Sequence, residues 1–176
     1  MSLVFLLGGA RSGKSALAVD LARRRGSAVV VVATAEARDE EMAERIRAHR
    51  AERPPEWDTV EEPLELDAAL GQVDDGAAVI VDCLSLWVAN LLERGDDDAD
   101  VEKRAREAAA FARTRRGLTI AVSNEVGLGL VPASALGRRY RDTLGRVNTA
   151  WAAAADEAAL VVAGRALRLD PPNVFL

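Results

Sequence analysis

An apolar stretch, Leu3-Val4-Phe5-Leu6-Leu7, runs directly into Gly8-Gly9-Ala10-Arg11-Ser12-Gly13-Lys14-Ser15, and no other feature of this chain restricts its fold so tightly. The run fits the phosphate-binding P-loop pattern: glycine, four residues, glycine, lysine, then serine or threonine. Its glycines let the backbone turn with N–H groups facing inward, a concave nest for phosphate oxygens. Ala16-Leu17-Ala18-Val19-Asp20-Leu21-Ala22 reads as a helix opening at Gly13, whose positive end faces the same nest. Lys14 is placed to reach the β- and γ-phosphates, and the Ser15 hydroxyl to ligate Mg²⁺. Gly8, Gly9, Ala10, Arg11, Ser12, Gly13, Lys14 and Ser15 are therefore expected to contact a nucleoside triphosphate.

Further apolar, β-branched runs predict strands over residues 28–33, 77–82, 118–123 and 159–163, with a short edge hairpin closed by a strand over 166–169. The strands are apolar on both faces, as expected for a mostly parallel sheet covered by helices on both sides. Helices are predicted over 36–53, 84–94, 100–115 and 134–155. Gly95-Asp96-Asp97-Asp98 reads as a loop and helix start. With no repeat or linker in view, residues 1–176 are expected to form a single α/β domain of P-loop type.

Asp82 closes the strand carrying Val79-Ile80-Val81, an arrangement that delivers a carboxylate beside a P-loop, where it holds Mg²⁺ directly or through water. The loop Ser123-Asn124-Glu125-Val126-Gly127-Leu128-Gly129 follows the fourth long strand, on the side where parallel sheets bind ligands. Glu125 is a candidate general base toward a substrate hydroxyl; equally, Asn124 and Glu125 serve only to cap the turn. His49 is the only histidine. Met42, Ile46 and His49 share a helix face, which predicts a buried or cleft-facing imidazole among Arg45, Arg50 and Arg53. That position suits either a structural histidine or a nucleophile toward phosphorus.

Net charge is −5, which gives no general attraction to nucleic acid. No apolar run reaches the length of a membrane span, and a lone Cys83 suits a reducing cytoplasm without an internal disulfide.

Taken together, the motifs resemble those of the bifunctional adenosylcobinamide kinase/adenosylcobinamide-phosphate guanylyltransferases of cobalamin biosynthesis. The resemblance rests on the P-loop, Ala33-Thr34-Ala35, Glu41-Met42, Arg45-Ile46, His49-Arg50, Arg53 and Trp57. It continues through Asp82-Cys83-Leu84-Ser85-Leu86-Trp87-Val88, Asn90, Ser123-Asn124-Glu125-Val126-Gly127 and Gly137-Arg138-Arg139-Tyr140-Arg141-Asp142. It implies a RecA-like fold, a homotrimer, and two reactions. ATP or GTP phosphorylates the aminopropanol hydroxyl of adenosylcobinamide. GTP then transfers GMP to a histidine, from which adenosylcobinamide phosphate takes it to give adenosylcobinamide-GDP. By position His49 corresponds to the guanylylated histidine. Besides the P-loop, the resemblance implies nucleotide contacts at Ala33, Thr34, Ala35, Arg50, Ala51, Glu52, Arg53, Glu61 and Asp82. The alternative is a simple P-loop kinase of small molecules in which His49 is structural. The arginines from Arg138 to Arg146 either meet a neighbouring subunit or the corrinoid phosphate, or form a solvated face.

Overall fold

The computed structural model describes residues 3–25 and 28–172. In chain order the elements are β1 (Leu3–Gly8), α1 (Lys14–Arg23), β2 (Val29–Ala33), α2 (Glu40–Ala51), β3 (Asp58–Glu61), α3 (Leu66–Gln72) and β4 (Ala78–Asp82). They are followed by α4 (Leu84–Arg94), α5 (Asp98–Thr114), β5 (Thr119–Asn124), α6 (Ala135–Ala154), β6 (Glu157–Val162) and β7 (Arg165–Arg168). The strands form one sheet in the order β3-β2-β4-β5-β1-β6-β7, parallel throughout except for the β6–β7 hairpin at its edge.

Side chains alternate across this sheet, so each buried strand feeds two cores. Leu3 and Phe5 of β1 join Val79, Val81 and Ala121 under α3, α4, α5 and α6, where Trp87 and Trp151 are fully enclosed. Val4 and Leu6 face the other way, onto Ala18 and Ala22 of α1 with Ile80, Ile120 and Val122. The expected α/β architecture is borne out, with most helices on one face.

Two elements were not expected from sequence. Asp58-Thr59-Val60-Glu61 is too short and polar to announce a strand, yet it pairs with β2 at the sheet edge. Leu66–Gln72 is a short helix that buries Leu66, Ala69 and Leu70. The helix expected from residue 36 starts later, because Asp39 caps it by accepting a hydrogen bond from the Met42 N–H. The helix expected from residue 100 starts earlier, at Asp98, capped by Asp97 through the Asp100 N–H.

Arg115, at the end of α5, ties the loop before β4 to the core. It is 4% exposed, and its guanidinium donates to the carbonyls of Leu70, Val73, Asp74 and Ala77. The partners are neutral carbonyls, so the guanidinium acts as a fixed polar staple, and burial pushes its pKa down. Arg115→Ala leaves those carbonyls without their donor and opens a void. A loss of about 3 kcal/mol in unfolding free energy is expected, read from urea denaturation.

Candidate active site

The site lies at the carboxyl ends of β1, β5 and β4. Parallel pairing aligns Leu6 with Val122 and Val122 with Asp82, so the P-loop and Asp82 stand at one rim with β5 between them. β1 ends in Gly8 because its backbone runs against β6: a Cβ there would lie 2.3 Å from the Val161 carbonyl oxygen. Gly13 has φ 101°, a left-handed conformation that lets the chain turn into α1. The hairpin turn between β6 and β7 braces this loop from outside, with the Gly164 N–H donating to the Ser12 carbonyl at 2.9 Å.

Inside the loop, Lys14 is buried and its ammonium donates to the Gly9 carbonyl at 2.7 Å. Burial pushes the Lys14 pKa down, opposed by electrostatic interaction with Cys83 and Asp82 nearby. The lysine is thus folded back into the loop, where phosphate oxygens would replace the carbonyl as its partner. Gly9, Ala10 and Arg11 are exposed at the rim.

Ser15, Asp82, His49, Glu52 and Arg53 line a common cleft of about 300 Å³, floored by Ile80 and Val122. Arg53 makes the closest polar contact there, with Nη2 2.7 Å from Asp82 Oδ2. The donors offered to a cation are the Ser15 hydroxyl and the Asp82 carboxylate. Among the described residues no cluster of three or more His, Cys, Asp or Glu side chains could hold a metal. That sparse, all-oxygen set fits Mg²⁺, which keeps waters and takes its remaining ligands from phosphates.

His49 faces the cleft, as expected, but it is not buried: its side chain is 51% exposed and α2 buries none of its residues. Met42 and Ile46 on the same face are only partly covered. The helix bears six charged side chains in its sequence EEMAERIRAHRA, so solvent rather than the sheet covers most of it. His49 Nδ1 lies 3.8 Å from Glu52 Oε2, and Arg50 lies 3.8 Å from Glu61. Ala51 and Glu52 are exposed.

Ala33 and Ala35 flank a residue with a different task. Thr34 is fully buried, its hydroxyl donates to the Cys83 carbonyl and accepts from the Cys83 N–H, and its own N–H and carbonyl bond Asp82 and Asn90. Thr34 therefore anchors the segment that presents Asp82. Glu125 caps its own loop, accepting from the Gly127 N–H, while its N–H donates to the Gly8 carbonyl. These bonds hold the Glu125 turn directly against the P-loop.

Sequence reasoning missed the support behind Asp82. Cys83 Sγ is 2.9 Å from Ser85 Oγ, Asn124 donates to that same hydroxyl, and Tyr140 donates to the Ser85 carbonyl. Burial raises the Cys83 pKa, reinforced by Asp82. Two arginines of α6 turn to the protein's own acids: Arg139 and Arg146 pair with Asp98, and Arg146 also with Glu102.

Residues 4–169 match the model of the family described as cobinamide kinase / cobinamide phosphate guanyltransferase. The bifunctional adenosylcobalamin biosynthesis protein CobP of Pseudomonas aeruginosa is 46% identical over 160 residues, 90% of this chain and 92% of that protein. The bifunctional adenosylcobalamin biosynthesis protein CobU of Escherichia coli is 39% identical, over 95% of this chain and 99% of the relative. Among solved structures, the RadB recombinase superposes with TM-score 0.51 at 17% identity, covering 90% of this chain and 73% of its own. A KaiC-like protein of Pyrococcus horikoshii gives 0.52 at 14%, covering 90% and 70%. These two likenesses establish a RecA-like fold.

Tyr140 offers a direct check on the packing behind the site, because it is the only tyrosine. Burial, with a smaller contribution from Cys83, pushes its phenol from 10.0 up to about 12. A raised phenol pKa contributes stability that is complete below the unfolded value and lost as pH rises through the folded one. Absorbance at about 295 nm should therefore show little phenolate near pH 11 in the folded protein, and mostly phenolate in urea.

Proposed function

The chain belongs to the cobinamide kinase and cobinamide phosphate guanyltransferase family, and on that premise we propose that it performs two successive transfers at the P-loop and the adjoining cleft between α1 and the end of α2. What supports this reading is the convergence of Ser15, Asp82, His49 and Arg53 on one cavity. In the first transfer, the γ-phosphoryl group of ATP or GTP passes to the aminopropanol hydroxyl of adenosylcobinamide. The nucleoside diphosphate leaves, and the hydroxyl proton goes to a base, for which Glu125 is the candidate. The P-loop amides and Lys14 hold the phosphate oxygens as charge shifts. Ser15 and Asp82 would hold Mg²⁺, which when bound neutralises charge on the β- and γ-oxygens.

In the second transfer, the free imidazole of His49 attacks the α-phosphorus of GTP and pyrophosphate leaves. A phosphate oxygen of adenosylcobinamide phosphate then attacks the same phosphorus and displaces the imidazole, giving adenosylcobinamide-GDP. A nucleophile that forms a covalent adduct must be reachable by the nucleotide and then by the acceptor, and the half-exposed His49 on an unburied helix suits that need. Arg50 and Arg53 would steady the departing pyrophosphate.

A homotrimer in the cytoplasm is part of the same proposal. Leu128, Leu130, Val131 and Leu136 are exposed along the segment from β5 into α6, as a surface covered by a neighbouring subunit would be. No helix among the described residues is long and apolar enough to cross a membrane.

Incubation with GTP labelled at the α-phosphorus should leave an acid-labile GMP adduct on the protein, absent in His49→Ala. An unlabelled wild type with demonstrated GTP binding would instead favour a kinase with a structural histidine. Lys14→Ala should slow phosphoryl transfer by at least about a hundredfold.

A further inference from the structure

Arg53 stands just beyond the end of α2, its N–H bonded to the Arg50 carbonyl. Its side chain and that of Asp82 are 13% and 17% exposed. The pairs within α2 itself are far wetter, with Arg45–Glu41 at 63% and 77% and Arg47–Glu40 at 65% and 87%. Solvated pairs of that kind contribute little. Because α2 buries no residue, the withdrawn Arg53–Asp82 contact is the strongest polar tie between the end of this helix and the sheet. Yet Asp82 is also the carboxylate assigned to Mg²⁺. A guanidinium 2.7 Å from Oδ2 takes up the negative charge that a cation or its water would draw on, so the two positive groups compete for one carboxylate.

We infer that Arg53 is a positioning residue that competes with the divalent cation for Asp82, coupling the docking of the His49-bearing helix to metal loading. When Asp82 is metal-free, Arg53 draws α2 against the cleft and His49 lines it beside Ser15. When the cation is seated with nucleotide, the guanidinium is released and α2 loses its main anchor. The inference rests on the reading of Asp82 as the metal-holding carboxylate, and the test separates the two.

The probes are Mn²⁺ and the α,β-methylene analogue of GTP, which cannot give up GMP, with no corrinoid acceptor present. At saturating analogue, Arg53→Ala should bind Mn²⁺ about tenfold more tightly than wild type, with Arg53→Lys between them. Arg53→Ala and Asp82→Asn should each speed hydrogen exchange of the α2 amides about tenfold in the nucleotide-free protein, and the double variant no further. Exchange in β1, β4 and β5 reports whether each variant is folded. A merely structural Arg53 would loosen α2 without tightening Mn²⁺ binding, and that result overturns the inference. So does wild-type α2 exchange in Asp82→Asn. Unchanged Mn²⁺ affinity in Asp82→Asn overturns the metal assignment itself, and the competition with it.

Discussion

Parallel pairing of β5 with β1 on one side and β4 on the other sets the geometry on which the site depends. The ladder holds Gly8, Asn124 and Asp82 at one rim. Backbone hydrogen bonds between strands buried on both faces are hard to deform, so the phosphate loop and the carboxylate keep their separation whatever the surface elements do. Polar contacts then refine that frame. Thr34 grips both backbone groups of Cys83, Ser85 gathers Cys83 and Asn124, and Tyr140 closes the set from α6. Each of these side chains acts on the segment that follows Asp82.

α2 is built on the opposite principle. Its acidic first turn and basic last turn suit the helix dipole, so it is a sound helix by local chemistry. It contributes no buried residue to either core, however, and its contacts with the sheet end are polar. Elements held in this way open at low free-energy cost. In the proposed two-step transfer, such a mount would let His49 meet first the α-phosphorus of the nucleotide and then a bulky acceptor.

Local patterns carried the long buried strands and the helix over 84–94 almost residue for residue, because their apolar periodicity is the same whatever they pack against. β3 and α3 escaped because each is short and depends on its neighbours: Asp58-Thr59-Val60-Glu61 gains its conformation from pairing with β2. His49 shows the limit of helical-face reasoning. Met42, Ile46 and His49 do share a face, but that face meets a cleft and solvent instead of a core.

The sequence by itself determined the phosphate loop, the strand that leads into it, the carboxylate at the end of β4 and the presence of a single histidine near arginines. These are properties of neighbouring residues, read from spacing and backbone preference. Only the tertiary structure decided which arginine meets Asp82, that Lys14 folds back onto Gly9, and that Arg115 staples distant carbonyls. Arg53 and Asp82 are 29 residues apart and Arg115 reaches back as many as 45. Such pairings depend on how the strands are ordered in the sheet and on which groups the core leaves beside one another, and no local pattern encodes that.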